Sequence, residues 1–125
     1  MDLVIQVQNI KGVNESLKQL FEFDRLEGDN KLFCDNCNEK TDTLKGCRIE
    51  KLPPILTIDF NRFAFDYTTF ERKKVNDRFE YPLELNVADF LDPEALEESE
   101  NTIYELKSII IHRGGAYGGH YHAYI

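Results

Sequence analysis

Residues 118–125 read Gly118-Gly119-His120-Tyr121-His122-Ala123-Tyr124-Ile125, and they carry the strongest signal in the chain. Two glycines permit a tight turn with positive φ and let a second backbone approach closely. The alternating residues after them predict a strand that holds His120 rigidly at the mouth of this turn. A lone histidine in a strand is more often structural, but a rigid imidazole beside a glycine-walled channel suits the general base of an acyl-transfer enzyme. His120 is therefore the candidate catalytic residue.

Composition limits the classes of partner and compartment. The chain has 125 residues, 42% of them hydrophobic, which is enough for one domain with one core. A net charge of −8 argues against nucleic acid or an anionic membrane as the main partner. The first residues lack the basic and apolar regions of a signal peptide, and no apolar run is long enough to span a bilayer. Three cysteines favour a reducing compartment, cytosol or nucleus, over a disulfide framework.

The hydrophobic pattern predicts one helix near the start and strands elsewhere. Leu3, Ile5 and Val7 alternate with other residues as in a strand, and Asn14 is a plausible N-cap for an amphipathic helix ending at about Asp24. The next elements are expected to be a polar strand at 43–51, a strand with Leu56, Ile58 and Phe60 on one face, and a mobile hairpin at 64–78. An acidic surface loop is expected at 92–101. After it, a central, doubly covered strand at 102–113 is expected to pair with a final strand at 119–125. The predicted fold class is α+β, with antiparallel β dominating.

A cysteine pair offers half of a metal site. Cys34-Asp35-Asn36-Cys37 has the spacing of a zinc knuckle, but a structural zinc needs four ligands. The sequence has no second Cys-x-x-Cys or Cys-x-x-His, and Cys47 could be a third ligand only by bending back across its strand. None of the three cysteines opens a helix that would favour the thiolate, which argues against a redox role and against a nucleophile for His120.

Two other polar features are interpreted as structural. The run Phe70-Glu71-Arg72-Lys73-Lys74 gathers three cations and is predicted to be a solvated hairpin tip. His112 ends the expected central strand and is predicted to be a hydrogen-bonded structural histidine.

Four motifs, in order, resemble the C-terminal half of a ubiquitin-specific protease catalytic domain. They are Leu26-x-Gly28-x-Asn30-x-x-Phe33-Cys34-x-x-Cys37, Leu52-Pro53-Pro54-Ile55-Leu56 with Arg62-Phe63, Phe79-x-Tyr81-Pro82, and His112-Arg113-Gly114 followed by Gly118-Gly119-His120-Tyr121 and Tyr124. They look like that family's second finger knuckle, its strand ending in Arg-Phe, the aromatic-Pro segment after its blocking hairpin, and its histidine box. The histidine box is most similar to that of the ubiquitin-specific protease forty branch.

The resemblance implies an architecture and a compartment. The chain would be the palm and fingers part of a papain-like cysteine protease domain, and that domain would be incomplete here. Residues 1–51 would form a fingers portion with one knuckle, and residues 52–125 a palm portion with the histidine box. The loops at 64–78 and 113–119 would correspond to blocking loops, and the protein would be cytoplasmic, nuclear or both.

The resemblance also implies a chemistry. His120 would take the proton from a cysteine thiol and later return one to the leaving lysine amine of an isopeptide bond, by way of a thioester. Tyr121, Gly118, Gly119 and Tyr117 would contact the Gly-Gly tail of ubiquitin, so the partners would be ubiquitin and ubiquitinated proteins. Catalysis would need no cofactor. Zinc would bind Cys34 and Cys37 only with a second knuckle that this chain does not contain.

Departures from the family pattern bear on activity. The family's nucleophile box, its first finger knuckle, and the Asp or Asn that orients the imidazole have no counterpart in these residues. The expectation is therefore a deubiquitinase fragment that does not hydrolyse ubiquitin by itself. A non-catalytic ubiquitin-binding remnant and a zinc-dependent interaction module stay open as alternatives.

Overall fold

The computed structural model describes residues 2–125, in which short strands dominate and helices are few. The strands are β1 (Asp2–Gln6), β2 (Asp24–Leu26), β3 (Leu32–Cys34), β4 (Glu39–Thr41), β5 (Thr43–Lys45), β6 (Thr57–Asn61), β7 (Phe63–Asp66), β8 (Glu71–Lys74), β9 (Glu84–Asn86), β10 (Ile103–Glu105), β11 (Ile109–Gly115) and β12 (Gly118–Tyr124). The helices are α1 (Val13–Leu20) and α2 (Pro93–Glu98), with 3₁₀ turns at Gly28–Asn30 and Ala88–Phe90. Neither α-helix is long and apolar enough to cross a membrane.

The strands associate in pairs. The first and sixth strands are parallel, with Ile5 opposite Phe60. The other pairs in the described part of the chain are antiparallel: β2 with β5, β3 with β4, β7 with β8, β9 with β10 and β11 with β12. This arrangement confirms the predicted α+β class with mainly antiparallel β.

One hydrophobic core lies between α1, β1 and the segment from 75 to 95. Leu17 is fully buried, and Phe21 stacks on Phe90 with ring centroids 5.0 Å apart. Ser16, on the same face of the helix, donates a hydrogen bond to the Gln6 carbonyl at 2.6 Å. The buried hydrophobic residues are Ile5, Val7, Val13, Leu17, Phe21, Ile49, Val75, Phe79, Leu85, Val87, Phe90, Leu91 and Ala95. Thus β1 and α1, from the part of the chain before residue 52, share one core with residues 75–95 from the part after it.

The predicted limits of α1 are wrong at both ends. The N-cap is Gly12, and Asn14 lies inside the helix. A tertiary contact sets this end, because the Val13 N–H donates to the Glu80 carbonyl at 2.8 Å. The helix ends at Leu20, and Phe21 caps it with its N–H donated to the Leu17 carbonyl and its ring stacked on Phe90.

The acidic segment 92–101 was predicted to be a surface loop, and this is wrong because the segment contains α2. Pro93 occupies the first helical turn after Asp92, a favoured position for proline, and Leu96 donates to the Asp92 carbonyl at 2.9 Å. Ala95 is buried on the core side. Acidic side chains therefore mark the solvent face of a short helix here.

Two predicted strands are shorter than expected. The polar strand at 43–51 ends at Lys45, and Ile49 then forms a separate bridge to Leu91. The segment 102–113 contains two strands, because the chain changes partner from β9 to β12 after Glu105. It is not doubly covered within residues 2–125, where Ile110 is 72% exposed.

Residues 24–45 project as an arm that we call the knuckle arm. Its two antiparallel pairs, β2–β5 and β3–β4, contain no buried residue. Exposed ion pairs link parts of this arm, with Asp42, between β4 and β5, lying 3.8 Å from Arg25 and 3.6 Å from Lys31. Such pairs stabilise little, so backbone pairing carries this arm.

Candidate active site

The predicted catalytic histidine lies in a long, regular hairpin, which we call the histidine hairpin (residues 109–124). Seven residue pairs join β11 to β12, and a two-residue turn, Ala116–Tyr117, connects them. His120 lies directly opposite Arg113, while Tyr121 lies opposite His112. Opposed residues share a face, so His120 and Tyr121 lie on opposite faces of the hairpin. The predicted pairing through a glycine-rich turn is confirmed.

A pair of glycines brings the two strands together beside His120. Gly114 and Gly119 face each other in the register, with φ values of 137° and 158°. A Cβ on Gly114 would lie 2.6 Å from the Gly119 Cα, and one on Gly119 would lie 2.6 Å from Nε2 of His112. The same Cβ on Gly119 would also meet the Arg113 carbonyl oxygen. Only glycine fits at these two positions, whereas Gly118 has open space around it.

The predicted site residues are open to solvent. His120, Gly118 and Gly119 are exposed, and Tyr121 and Tyr117 are 71% and 80% exposed. Within residues 2–125 the His120 imidazole takes part in no side-chain hydrogen bond, so no described group orients it. Two depressions on the described surface lie beside α1, and neither includes His120. A closed channel around His120 would need further walls.

His112 was predicted to be a hydrogen-bonded structural histidine, and the structure does not show a hydrogen bond to its buried Nδ1 among the described residues. Its side chain is half-buried, and its Nδ1 is buried with no hydrogen-bond partner among the described residues. The ring instead packs between aromatic rings, 4.8 Å from Tyr121 and 5.9 Å from Phe63 between centroids. His112 therefore supports Tyr121 and Gly119 by contact rather than by a polar network.

The neighbouring hairpin, β7–β8, contacts the histidine hairpin at three points. Lys74 donates from Nζ to the carbonyls of His112 at 2.9 Å and Gly114 at 3.2 Å. The Arg72 backbone N–H donates to the Tyr117 hydroxyl at 3.2 Å, and Phe63 makes the ring contact with His112. Residues 64–78 do contain the predicted hairpin, with a turn at 67–70.

The interpretation of 70–74 as a solvated tip is wrong for its last residue. Lys74 is half-buried, and it lies on the same face as Phe63 in the register. Arg72 shares this face, with its guanidinium 4.6 Å from the Phe63 ring centre. Lys73 points the other way and is exposed. Strand alternation was the signal that could have separated Lys74 from Lys73.

The cysteine pair forms the turn of the β3–β4 hairpin. The Cys37 backbone N–H donates to Sγ of Cys34 at 3.3 Å, and Asn38 closes the turn with φ 55° and an N–H donated to the Cys34 carbonyl at 2.8 Å. The Cys37 N–H, followed by its thiol, lowers the pKa of Cys34. Donating that thiol proton raises the pKa of Cys37. The turn thus stabilises one thiolate, as a metal ligand requires.

The cysteine turn supplies only two of the four ligands that a structural zinc requires. One tight turn supplies two sulfurs, but no group of three or more His, Cys, Asp or Glu gathers anywhere in residues 2–125. Cys47 is an exposed free thiol beyond the end of β5, outside the knuckle. The described residues alone do not complete a tetrahedral zinc site.

The family model and the related sequences that match this chain all point to one family. The family described as ubiquitin carboxyl-terminal hydrolase matches residues 6–125. Ubiquitin carboxyl-terminal hydrolase 40 of Homo sapiens is 38% identical over the whole of this chain, which spans 10% of that relative. Ubiquitin C-terminal hydrolase 13 of Arabidopsis thaliana is 37% identical over 99% of the chain, which spans 11% of it. The chain thus spans about a tenth of the length of these curated relatives.

Solved structures resemble the chain over almost its full length. In the SAGA Ubp8/Sgf11/Sus1/Sgf73 DUB module bound to ubiquitin aldehyde, the match has a TM-score of 0.80 at 28% identity and covers 98% of this chain and 27% of that one. The C146A form of Ubp8 in the same module, bound to monoubiquitin, matches with a TM-score of 0.78 at 28% identity. These TM-scores show that the chain shares the fold of the matched part of Ubp8.

Proposed function

This chain belongs to the ubiquitin carboxyl-terminal hydrolase family, and we propose that it supplies the general-base histidine and part of the ubiquitin-tail surface of a cysteine-type deubiquitinase. One observation carries the proposal: the tight Gly114–Gly119 pair places an exposed His120 at the start of the hairpin's final strand. Support comes from the related DUB module, whose solved forms hold ubiquitin aldehyde and monoubiquitin.

The reaction we propose divides isopeptide cleavage into two acyl transfers. His120 accepts the proton of a cysteine thiol, and the thiolate adds to the carbonyl carbon of ubiquitin's last residue. When the tetrahedral intermediate collapses, the C–N bond breaks and the lysine amine leaves with the proton from the imidazolium. Water, deprotonated by the same imidazole, then hydrolyses the thioester and releases free ubiquitin and the thiol.

We further propose that the nucleophile is none of the three cysteines here. Cys34 and Cys37 are committed to a tight turn of the knuckle arm, and Cys47 follows β5 at its base. No hydrogen bond in the described structure joins any of them to His120. On this proposal the isolated chain does not hydrolyse ubiquitin, and activity requires a thiol and an orienting group from elsewhere.

The tail-binding surface we propose consists of the hairpin turn and one face. Tyr117 and Tyr121 are largely exposed, and a Cβ on Gly118 would meet no atom within 4 Å. A side-chain-free peptide such as Gly-Gly could lie against such a surface with its backbone close to Gly118 and Gly119. Ubiquitin and ubiquitinated proteins are thus the proposed partners, in cytoplasm, nucleus or both. Zinc would bind Cys34 and Cys37 only together with ligands from outside residues 2–125.

A graft tests the function directly. Residues 2–125 replace the matching segment of a family member whose ubiquitin cleavage is confirmed beforehand, and hydrolysis of a fluorogenic ubiquitin substrate is measured. The graft is expected to be active, and His120→Ala should lower kcat by about 10²–10⁴-fold, as loss of a general base does. His122→Ala, two residues further along the strand on the same face, is the matched control and should change kcat less than about threefold.

Three results would count against this assignment. Normal kcat in the His120→Ala graft would remove the general-base role. An inactive but folded graft, combined with saturable binding of labelled ubiquitin to the isolated chain, would favour a non-catalytic ubiquitin-binding remnant. Binding of zinc by the isolated chain without any response to ubiquitin would favour the interaction module.

A further inference from the structure

Lys74 occupies an unusual place for a lysine on a surface hairpin. It is half-buried, and its ammonium lies between two backbone carbonyls of β11, those of His112 at 2.9 Å and Gly114 at 3.2 Å. Carbonyls of alternate residues in a strand point to the same edge. Since β12 takes the other edge of β11, Lys74 binds the edge that β12 leaves free.

The two carbonyls bracket one residue, and that residue faces the catalytic histidine. Arg113 lies between His112 and Gly114, and its register partner on β12 is His120. The Gly114–Gly119 pair comes next, where the strands approach most closely. Fixing the carbonyls on both sides of Arg113 therefore fixes the pair to which His120 belongs.

We propose that Lys74 is a positioning residue for His120, and this rests on the general-base role proposed above. Lys74 joins the β7–β8 hairpin to the segment of β11 that opposes His120, so the backbone that carries His120 keeps one position relative to the β7–β8 hairpin. Phe63, opposite Lys74 in the β7–β8 register, packs its ring against His112 and adds an apolar contact beside the polar one. Lys74 does not touch the reacting atoms.

A positioned ammonium suits this task better than a neutral donor. It carries three N–H donors, so it can serve two carbonyls 2.9 Å and 3.2 Å away at once. Hydrogen bonds from a charged donor are about twice as strong as neutral ones. Displacement of a catalytic group by about 1 Å costs up to about 100-fold in rate, so a tether of this kind has a measurable effect.

The test uses the active graft, which contains both hairpins in full. Lys74→Met keeps the length of the side chain and removes its donors, Lys74→Arg keeps donors, and Lys73→Met removes the neighbouring charge on the opposite face of the same strand. We expect Lys74→Met to lower kcat about 10-fold with KM changed less than twofold, Lys74→Arg to recover most of the loss, and Lys73→Met to match the parent. Folding is checked by circular dichroism and by the midpoint of thermal unfolding.

Nuclear magnetic resonance on the chain itself supplies an independent readout. Lys74→Met should shift the backbone amides of residues 112–114 and 119–121, whereas Lys73→Met should leave them in place. If Lys74→Met does not fold, Lys74→Gln, whose shorter amide reaches at most one carbonyl, replaces it under the same criteria.

The outcomes separate this inference from the proposed function. If His120→Ala abolishes activity but a folded Lys74→Met graft keeps its kcat and its amide shifts, Lys74 has no positioning role. The same holds if Lys74→Arg fails to recover any activity while folding normally. If His120→Ala itself leaves activity intact, the general-base proposal fails first, and the amide shifts alone then report whether Lys74 holds the hairpin.

Discussion

Two hairpins of this molecule carry reactive side chains, the cysteine pair and His120, and they are built in different ways. The β3–β4 hairpin has three residue pairs, and its turn is closed by its own backbone, through Cys37 and Asn38. The histidine hairpin has seven pairs, and a second hairpin, more than thirty positions earlier in sequence, binds its backbone and its turn. One site is local in sequence, and the other depends on tertiary contacts.

The comparison separates chemistry that a short sequence can fix from chemistry that it cannot. In the knuckle, a donor three residues away already lowers the pKa of Cys34. In the histidine hairpin, the position of His120 depends on Gly114 and on Lys74 across two strands and a second hairpin. Changes in the histidine hairpin should therefore alter global stability, and changes in the knuckle arm only local exchange.

The largest expected effect is that of Gly119→Ala. The new Cβ would meet the Arg113 carbonyl and lie 2.6 Å from Nε2 of His112, so the strands must move apart. We expect a loss of about 2–3 kcal/mol in the free energy of unfolding, measured by urea denaturation. Gly118→Ala is the control and should cost less than about 1 kcal/mol, because its Cβ meets open space. Equal losses for both variants would contradict the close-approach argument.

An intermediate effect is expected for a change at the tip of the same hairpin. Tyr117→Phe removes the hydroxyl that accepts the Arg72 N–H, and should cost about 0.5–1 kcal/mol in unfolding free energy. It should also speed hydrogen exchange of the Arg72 amide. Tyr121→Phe removes a hydroxyl without a described partner and should change neither quantity. Unaltered Arg72 exchange in Tyr117→Phe would show that the two hairpins are not joined at the tip.

In the knuckle arm, Asn38→Ala should act only locally. Asn38 has φ 55°, a conformation that costs alanine about 1 kcal/mol and asparagine less. Hydrogen exchange at the Asn38 amide, which donates to Cys34, should therefore quicken, while the urea midpoint of the chain stays unchanged because the arm has no buried residue. Asn36→Ala, in the same turn without positive φ, is the control. A shifted global midpoint would mean that the arm unfolds together with the core.

The smallest effect concerns the pH dependence of the two thiols. The Cys37 N–H lowers the pKa of Cys34 in the folded state. The Cys34 thiolate therefore contributes to stability at higher pH, and this contribution is lost as pH falls through the folded-state pKa of Cys34. The pKa of Cys37 is raised, so its contribution has the opposite sign and is lost as pH rises through its folded value. Alkylation by iodoacetamide, followed by mass spectrometry, should label Cys34 at lower pH than Cys37. The difference should vanish in guanidinium, and labelling of Cys37 first in the folded chain would contradict it.

Much of the fold followed from local patterns. Alternation along Leu3, Ile5 and Val7 predicted β1, and the glycine-rich turn predicted the β11–β12 pairing. The errors arose where a distant partner decides an element. Glu80 sets the start of α1, and a change of partner from β9 to β12 divides the strand predicted at 102–113.

By itself the sequence determined the residue types of the candidate site and two local motifs: a glycine-walled turn before His120, and a Cys-x-x-Cys knuckle. The tertiary structure decided which side chains support that site. Lys74 looks like Lys73 in sequence, yet only Lys74 reaches the carbonyls that flank Arg113. The reason is physical, since strand alternation puts the two lysines on opposite faces, and only the packing of one hairpin against another gives one of those faces a partner.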